Sequence, residues 1–167
     1  MHYILFLIKN QIFYNFLLTY LNFMVKKYFL DDIKHININI KSWDIIFLYG
    51  DLASWKTTFS KHIINDLLWV NMDVKSPTYN YYNKYEIPHP NPLLLGEGIN
   101  CYHFDLYRLK KYDEFFAIGW EEILDNPENI SIIEWPEIIW DYFKPTIQIF
   151  FKKTNNEKER EIEIKNI

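Results

Sequence analysis

The sequence predicts an α/β domain built on a mixed sheet, and three observations carry that. A short apolar run at residues 44–49 ends at Gly50, and residues 56–69 then place Phe59, Ile63, Ile64 and Leu67 at helical spacing. Two further strand-like runs, 100–106 and 130–133, each deliver an acid, Asp105 and Glu134. The stretches 146–152 (TIQIFFK) and 160–164 (REIEI), joined by Thr154-Asn155-Asn156-Glu157-Lys158, read as a terminal hairpin.

The composition fits one packed domain. The 167 residues are 49% hydrophobic and 24% charged, which supplies a core and excludes wholesale disorder. The net charge is −4, and no stretch is dense in Lys and Arg, which argues against a protein whose main task is gripping nucleic acid. A single cysteine, Cys101, excludes an internal disulfide framework and a CxxC site, so the expected compartment is the reducing cytoplasm. The chain holds 25 Ile and 16 Asn but 4 Gly and 2 Ala, the mark of AT-rich coding, under which a lost glycine is easily attributed to mutation pressure.

Each element follows in order. Residues 1–23 are apolar but broken by Lys9, Asn10, Gln11, Asn15 and Asn22, a poor match to a spanning helix or a secretory signal. They form an N-terminal extension with three open readings: an extra helix, translated sequence ahead of a true start at Met24, or a weak anchor. No stable membrane association is expected, and residues 24–167 form the domain. Residues 35–41 alternate apolar and polar with period two and favour a strand, with a helix up to Ser42 as rival. The run at 44–49 suits a buried parallel strand. Residues 75–85 read as a Ser-Pro turn and a Tyr/Asn-rich strand. Residues 88–98 hold three of the seven prolines and two of the four glycines and read as a surface loop inserted between two strands. Residues 112–124 read as helical, with Gly119 as a break.

Four motifs carry chemistry. Gly50-Asp51-Leu52-Ala53-Ser54-Trp55-Lys56-Thr57-Thr58 follows the phosphate-loop pattern GxxxxGK[ST], except that Trp55 stands where the last glycine belongs. In that pattern backbone N–H groups curl around a phosphate, the lysine reaches the β- and γ-phosphates, and the hydroxyl binds Mg²⁺. Ser76-Pro77-Thr78 sits on the loop after the first helix, where a threonine can sense a γ-phosphate. His103-Phe104-Asp105-Leu106-Tyr107-Arg108 places an acid at a strand end, suited to orienting water. There Arg108 could pair with Asp105, with phosphate or with a nearby carboxylate; His103 fits packing or a local hydrogen bond. Residues 130–136 end in Glu134-Trp135-Pro136, the form of a Walker B strand whose carboxylate holds Mg²⁺. Trp135 is expected to pack on the sheet or cover the nucleotide.

In this order the four motifs closely resemble the TsaE (YjeE) family, the small P-loop ATPases of bacterial tRNA threonylcarbamoyladenosine biosynthesis. The resemblance rests on LYGDLASWKTTFSKHI, VKSPTYNYY, YHFDLYRL and IIEWPE and spans about residues 24–165. With the strand–loop–helix order, it implies a three-layer α/β/α P-loop fold whose sheet is parallel at the centre and antiparallel toward the end. It implies ATP and Mg²⁺ as cofactors. Gly50, Asp51, Leu52, Ala53, Ser54, Trp55, Lys56, Thr57 and Thr58 would form the phosphate cradle, and Thr78 the switch-like threonine. Thr57 and Glu134 would attend the magnesium, and Asp105, with Lys56 and Glu134, would serve hydrolysis. It also implies TsaD-like and TsaB-like partners and tRNA reached through them.

Where the family usually reads GDLGAGKTT, Ala53 and Trp55 replace two glycines here. A left-handed Trp is strained by about 1–3 kcal/mol, equal to a ten- to hundredfold loss of affinity at about 1.4 kcal/mol per decade. Two other functions share these residues: a non-hydrolysing structural subunit of the same complex with a disabled loop, and a small P-loop kinase. The lack of an evident lid or Arg-rich acceptor segment speaks against the kinase.

Overall fold

The structure, a computed structural model, describes residues 26–87 and 99–167. The expectations for residues 1–23 and for the loop 88–98 lie outside the described residues. Seven strands form one sheet: β1 (Lys26–Phe29), β2 (Ile45–Tyr49), β3 (Tyr82–Glu86), β4 (Asn100–Asp105), β5 (Asn129–Glu134), β6 (Ile147–Lys153) and β7 (Glu159–Asn166). Their spatial order is β1-β7-β6-β2-β5-β4-β3. The four central strands, β6, β2, β5 and β4, run parallel. The expected hairpin β6–β7 continues into β1 on one edge, and β3 closes the other, all antiparallel. The short, mostly exposed KKYF of β1 carries no periodic signal, and the sequence reading passed over it.

The central strands are apolar on both faces, as parallel strands covered on both sides must be. In β2, Ile46 and Leu48 face helix α1 (Lys56–His62), whose Phe59 belongs to the same core; Ile63 and Ile64 join it from a π-helical turn, Ile63–Leu67, that extends α1. Phe47 faces the other way, into a core with Phe104, Phe115, Trp120 and Leu124. That second core seats α2 (Tyr112–Ala117) and α3 (Glu121–Asp125), separated at Gly119, whose φ is +77°. Helices on both faces give the three layers that the sequence predicts.

One expectation is corrected. Residues 36–40 pair with no strand among the described residues, and the preceding segment, Leu30–His35, is a 3₁₀ turn. The alternation is real: Ile36 is buried, and Ile38 and Ile40 pack on the α1-side core. Period two records which side chains face a core, and an extended strap laid over that core satisfies it without a ladder partner.

The sheet register positions everything that follows. Leu48 of β2 and Asp105 of β4 both lie opposite Glu134 of β5. The segments leaving the carboxyl ends of three parallel strands therefore emerge side by side, the edge at which open α/β sheets gather ligands. Among the described residues no helix is long and apolar enough to cross a membrane.

Candidate functional site

The turn from β2 into α1 needs a chain that bends sharply, and three of its residues have positive φ: Gly50 (+147°), Ala53 (+56°) and Trp55 (+81°). Gly50 is required there. A Cβ at this position would lie 2.6 Å from the backbone oxygen of Phe151 on β6 and 2.7 Å from Ser54 Oγ. Ala53 and Trp55 hold the left-handed conformation without glycine, as the pattern demands. The indole of Trp55 is wall rather than plug: it packs on the α1-side core, with the guanidinium carbon of Arg160 4.5 Å from its ring centre. The loop borders a cavity of about 460 Å³, lined by Leu52, Ala53, Ser54, Trp55, Lys56, Thr57 and Thr58 from the loop and helix start. Ser76, Thr78, Asp105, Tyr107, Glu134, Trp135 and Arg160 close the other sides.

Lys56 is the first residue of α1, and its side chain turns back over the loop. Its Nζ donates to the carbonyls of Gly50 at 2.5 Å and Asp51 at 2.9 Å and lies 3.8 Å from the Trp135 ring centre. Burial pushes the ammonium below the ordinary lysine value, while Glu134, then Asp105, Glu137 and Asp51, pull it back part of the way. The N–H groups of Lys56, Thr57 and Thr58 open the helix and have no intrahelical acceptor. An ammonium beside free amide donors is suited to an anion.

Glu134 is the hub of the acidic side and is buried. Its Oε2 accepts from the Thr57 hydroxyl at 3.1 Å and its Oε1 from His103 Nε2 at 2.8 Å; Oε1 also lies 3.4 Å from Ser60 Oγ, whose one proton is shared with the Lys56 carbonyl at 3.2 Å. A carboxylate oxygen only accepts, so in this contact Nε2 donates; the other ring nitrogen of His103 has no partner among the described residues. A hydroxyl and a carboxylate within 3.1 Å are hard oxygen donors of the kind Mg²⁺ takes. They make only part of a coordination shell, which suits a cation completed by phosphate oxygens and water.

Asp105, also buried, faces the switch-like segment. Its Oδ2 accepts from Ser76 Oγ at 2.7 Å and Thr78 Oγ1 at 2.5 Å, and its Oδ1 from the Tyr107 amide at 3.1 Å. Thr78 is thereby tied to the acid. Trp135 is left-handed (φ +59°) and packs against Tyr107 as well as Lys56, so it forms a wall of the cavity. The guanidinium of Arg108 lies over the Tyr79 ring, 4.7 Å from its centre, rather than on Asp105.

All the site residues expected from sequence border this cavity except Gly50 and Asp51, whose carbonyls receive the Lys56 ammonium. Sequence reasoning missed Ser60 and Arg160; His103 makes the local hydrogen bond that is one of its two expected roles. Ser60 had a readable signal, since position i+4 from Lys56 places it on the face of α1 that carries the lysine. Arg160 had none, because its partner in the loop is 107 residues away.

Comparison with known proteins gives the family. A family model described as "Threonylcarbamoyl adenosine biosynthesis protein TsaE" matches residues 29–162. The chain is 36% identical over 121 residues to the "tRNA threonylcarbamoyladenosine biosynthesis protein TsaE" of Rickettsia typhi, covering 72% of this chain and 76% of that protein. It is 30% identical over 124 residues to the Bacillus subtilis protein of the same name, covering 73% and 69%. The fold is similar to the crystal structure of Bacillus subtilis YdiB, with a TM-score of 0.53 at 24% identity over 83% of this chain and 84% of that one. With the loop, the Thr78–Asp105 pair and Glu134 gathered on one cavity, these matches place the chain in the TsaE family.

Proposed function

We propose that this chain is the ATP-binding and ATP-hydrolysing subunit of a system that installs threonylcarbamoyl on tRNA adenosine, acting on TsaD-like and TsaB-like partner proteins. The observation that carries the reading is the convergence on one cavity of Lys56, Thr57, Glu134, Thr78 and Asp105. Those are the groups that phosphoryl transfer to water needs: a cation for the phosphates, oxygen ligands for a metal, and a base beside the attacking position.

The geometry supports a role for each. Lys56, shielded from water, would exchange its contacts with the Gly50 and Asp51 carbonyls for phosphate oxygens. Thr57 and Glu134 would hold Mg²⁺, which neutralises charge on the phosphates when bound. His103 donates to one oxygen of Glu134 and so leaves the other turned toward Thr57. Asp105 would orient water, and Thr78, already hydrogen-bonded to it, would move with the terminal phosphate and report its presence to a partner. The adenosine transfer itself would belong to the partner proteins. Cytoplasmic residence fits a lone, buried thiol.

The test is reconstitution. Purified chain is mixed with its TsaB-like and TsaD-like partners, tRNA, ATP and Mg²⁺, and both phosphate release and modified adenosine are measured. The reading expects partner-stimulated hydrolysis and modification, both lost in Lys56→Ala and Glu134→Gln. Modification that proceeds with those variants would reject it in favour of the non-hydrolysing structural subunit.

A further inference from the structure

The phosphate loop lacks two glycines and still has the backbone that glycines would give it. One side chain touches both replacements. Arg160 enters from β7, is 7% exposed, and lines the cavity. Its Nη2 donates to the carbonyl of Ala53 at 3.0 Å, and its guanidinium carbon lies 4.5 Å from the ring centre of Trp55. Its Nη1 is held by its own hairpin, on the carbonyls of Glu157 at 2.8 Å and Glu159 at 2.7 Å. The guanidinium therefore ties the β6–β7 turn to the loop with charge-assisted bonds and a stacked ring.

We propose that Arg160 is the positioning residue that holds this loop open, replacing by contact the conformational freedom that Ala53 and Trp55 lack. The proposal rests on the nucleotide-loop reading above. Positive φ on two non-glycine residues strains the loop, and strain is released wherever a peptide plane is free to turn. The Ala53 oxygen belongs to the 53–54 plane, which sets ψ of Ala53 and φ of Ser54; turning that plane would swing the oxygen away from Arg160, and an oxygen aimed into the cavity would repel a phosphate. With that oxygen gripped, the planar trans peptide directs the Ser54 N–H the opposite way, where it closes the turn on the Asp51 carbonyl at 3.2 Å. The stack fixes the next residue: the indole has one berth, between core and guanidinium, and that berth keeps it out of the cavity. Lysine could not do this, because one ammonium cannot span three carbonyls and lie flat on a ring.

The test is a double-mutant cycle on the full chain, with four proteins: wild type, Arg160→Ala, the glycine-restored A53G/W55G, and the combination. Urea unfolding and Mg-ATP affinity are measured on each. Arg160→Ala should raise the unfolding constant and the Kd by about tenfold or more in the natural loop, and by less than about threefold in the glycine-restored loop. Turnover of bound nucleotide should change little, so the loss appears in KM rather than kcat. Arg160→Lys should behave like Arg160→Ala in Kd, and it serves if the alanine variant does not fold. Equal losses in both loops, or full rescue by lysine, would overturn the proposal. If neither loop binds Mg-ATP, the nucleotide reading fails, and the unfolding arm alone decides whether Arg160 braces the loop.

Discussion

Replacing Gly50 by alanine tests the loop geometry most quantitatively. Two costs can be read from the structure. The first is conformational: a φ of +147° belongs to glycine, and holding alanine there costs about 1–3 kcal/mol. The second is steric. The new Cβ would sit 2.6 Å from the Phe151 backbone oxygen, below the 3.0 Å that real Cβ contacts keep, and β6 cannot move without disturbing its pairing with β2. Overpacking of this kind adds about 1–3 kcal/mol. The sum is about 2–6 kcal/mol, which at a urea slope near 2 kcal/mol per molar lowers the midpoint by about 1–3 M. Gly119→Ala is the internal control. Its φ is also positive, at +77°, but none of the described residues lies within 4 Å of the added Cβ, so only the backbone cost of about 1–2 kcal/mol applies. The assay is urea unfolding followed by circular dichroism. A Gly50→Ala loss no larger than that of Gly119→Ala would show that the close approach of β6 to the loop is wrong.

Other expectations are simpler. Lys56 has a folded-state pKa below its unfolded value, so between the two the unfolded chain binds more protons and stability rises with pH. Phosphate favours the charged form, so Mg-ATP affinity should instead fall as pH climbs through the depressed value, starting below the ordinary 10.5, and Lys56→Arg should flatten that profile. An unchanged affinity up to pH 10.5 would remove Lys56 from the phosphate site. Asp105→Asn keeps the size of the side chain and an oxygen for Ser76 and Thr78 but loses the base and the acceptor for the Tyr107 amide, so kcat should drop about a hundredfold or more with a smaller change in KM. Cys101 is fully buried and its thiol is pushed far up by burial, so thiol reagents should label it only when the chain unfolds. Rapid labelling of the native protein would contradict the packing of β4.

The fold was legible where its signals are local. The run 44–49 followed by Phe59, Ile63 and Ile64 at helical spacing announces a strand, a turn and a helix. The hairpin and the break at Gly119 also lie within a few residues of their causes. The strap at 36–40 was misread because alternation does not reveal whether a backbone neighbour exists. The site was legible in part for the same reason. Asp105 and Glu134 stand at strand ends in sequence, but only the register makes them adjacent. Trp55 read as damage because its remedy, Arg160, lies on a distant strand whose REIEI pattern says only that it alternates.

The most direct test of the central claim, that a loop with indole in place of glycine still receives a triphosphate, is a calorimetric titration of Mg-ATP into wild type, Lys56→Ala and Trp55→Gly. Saturable binding by the wild type, lost in Lys56→Ala, is the expected result. Binding that appears only in Trp55→Gly would contradict it.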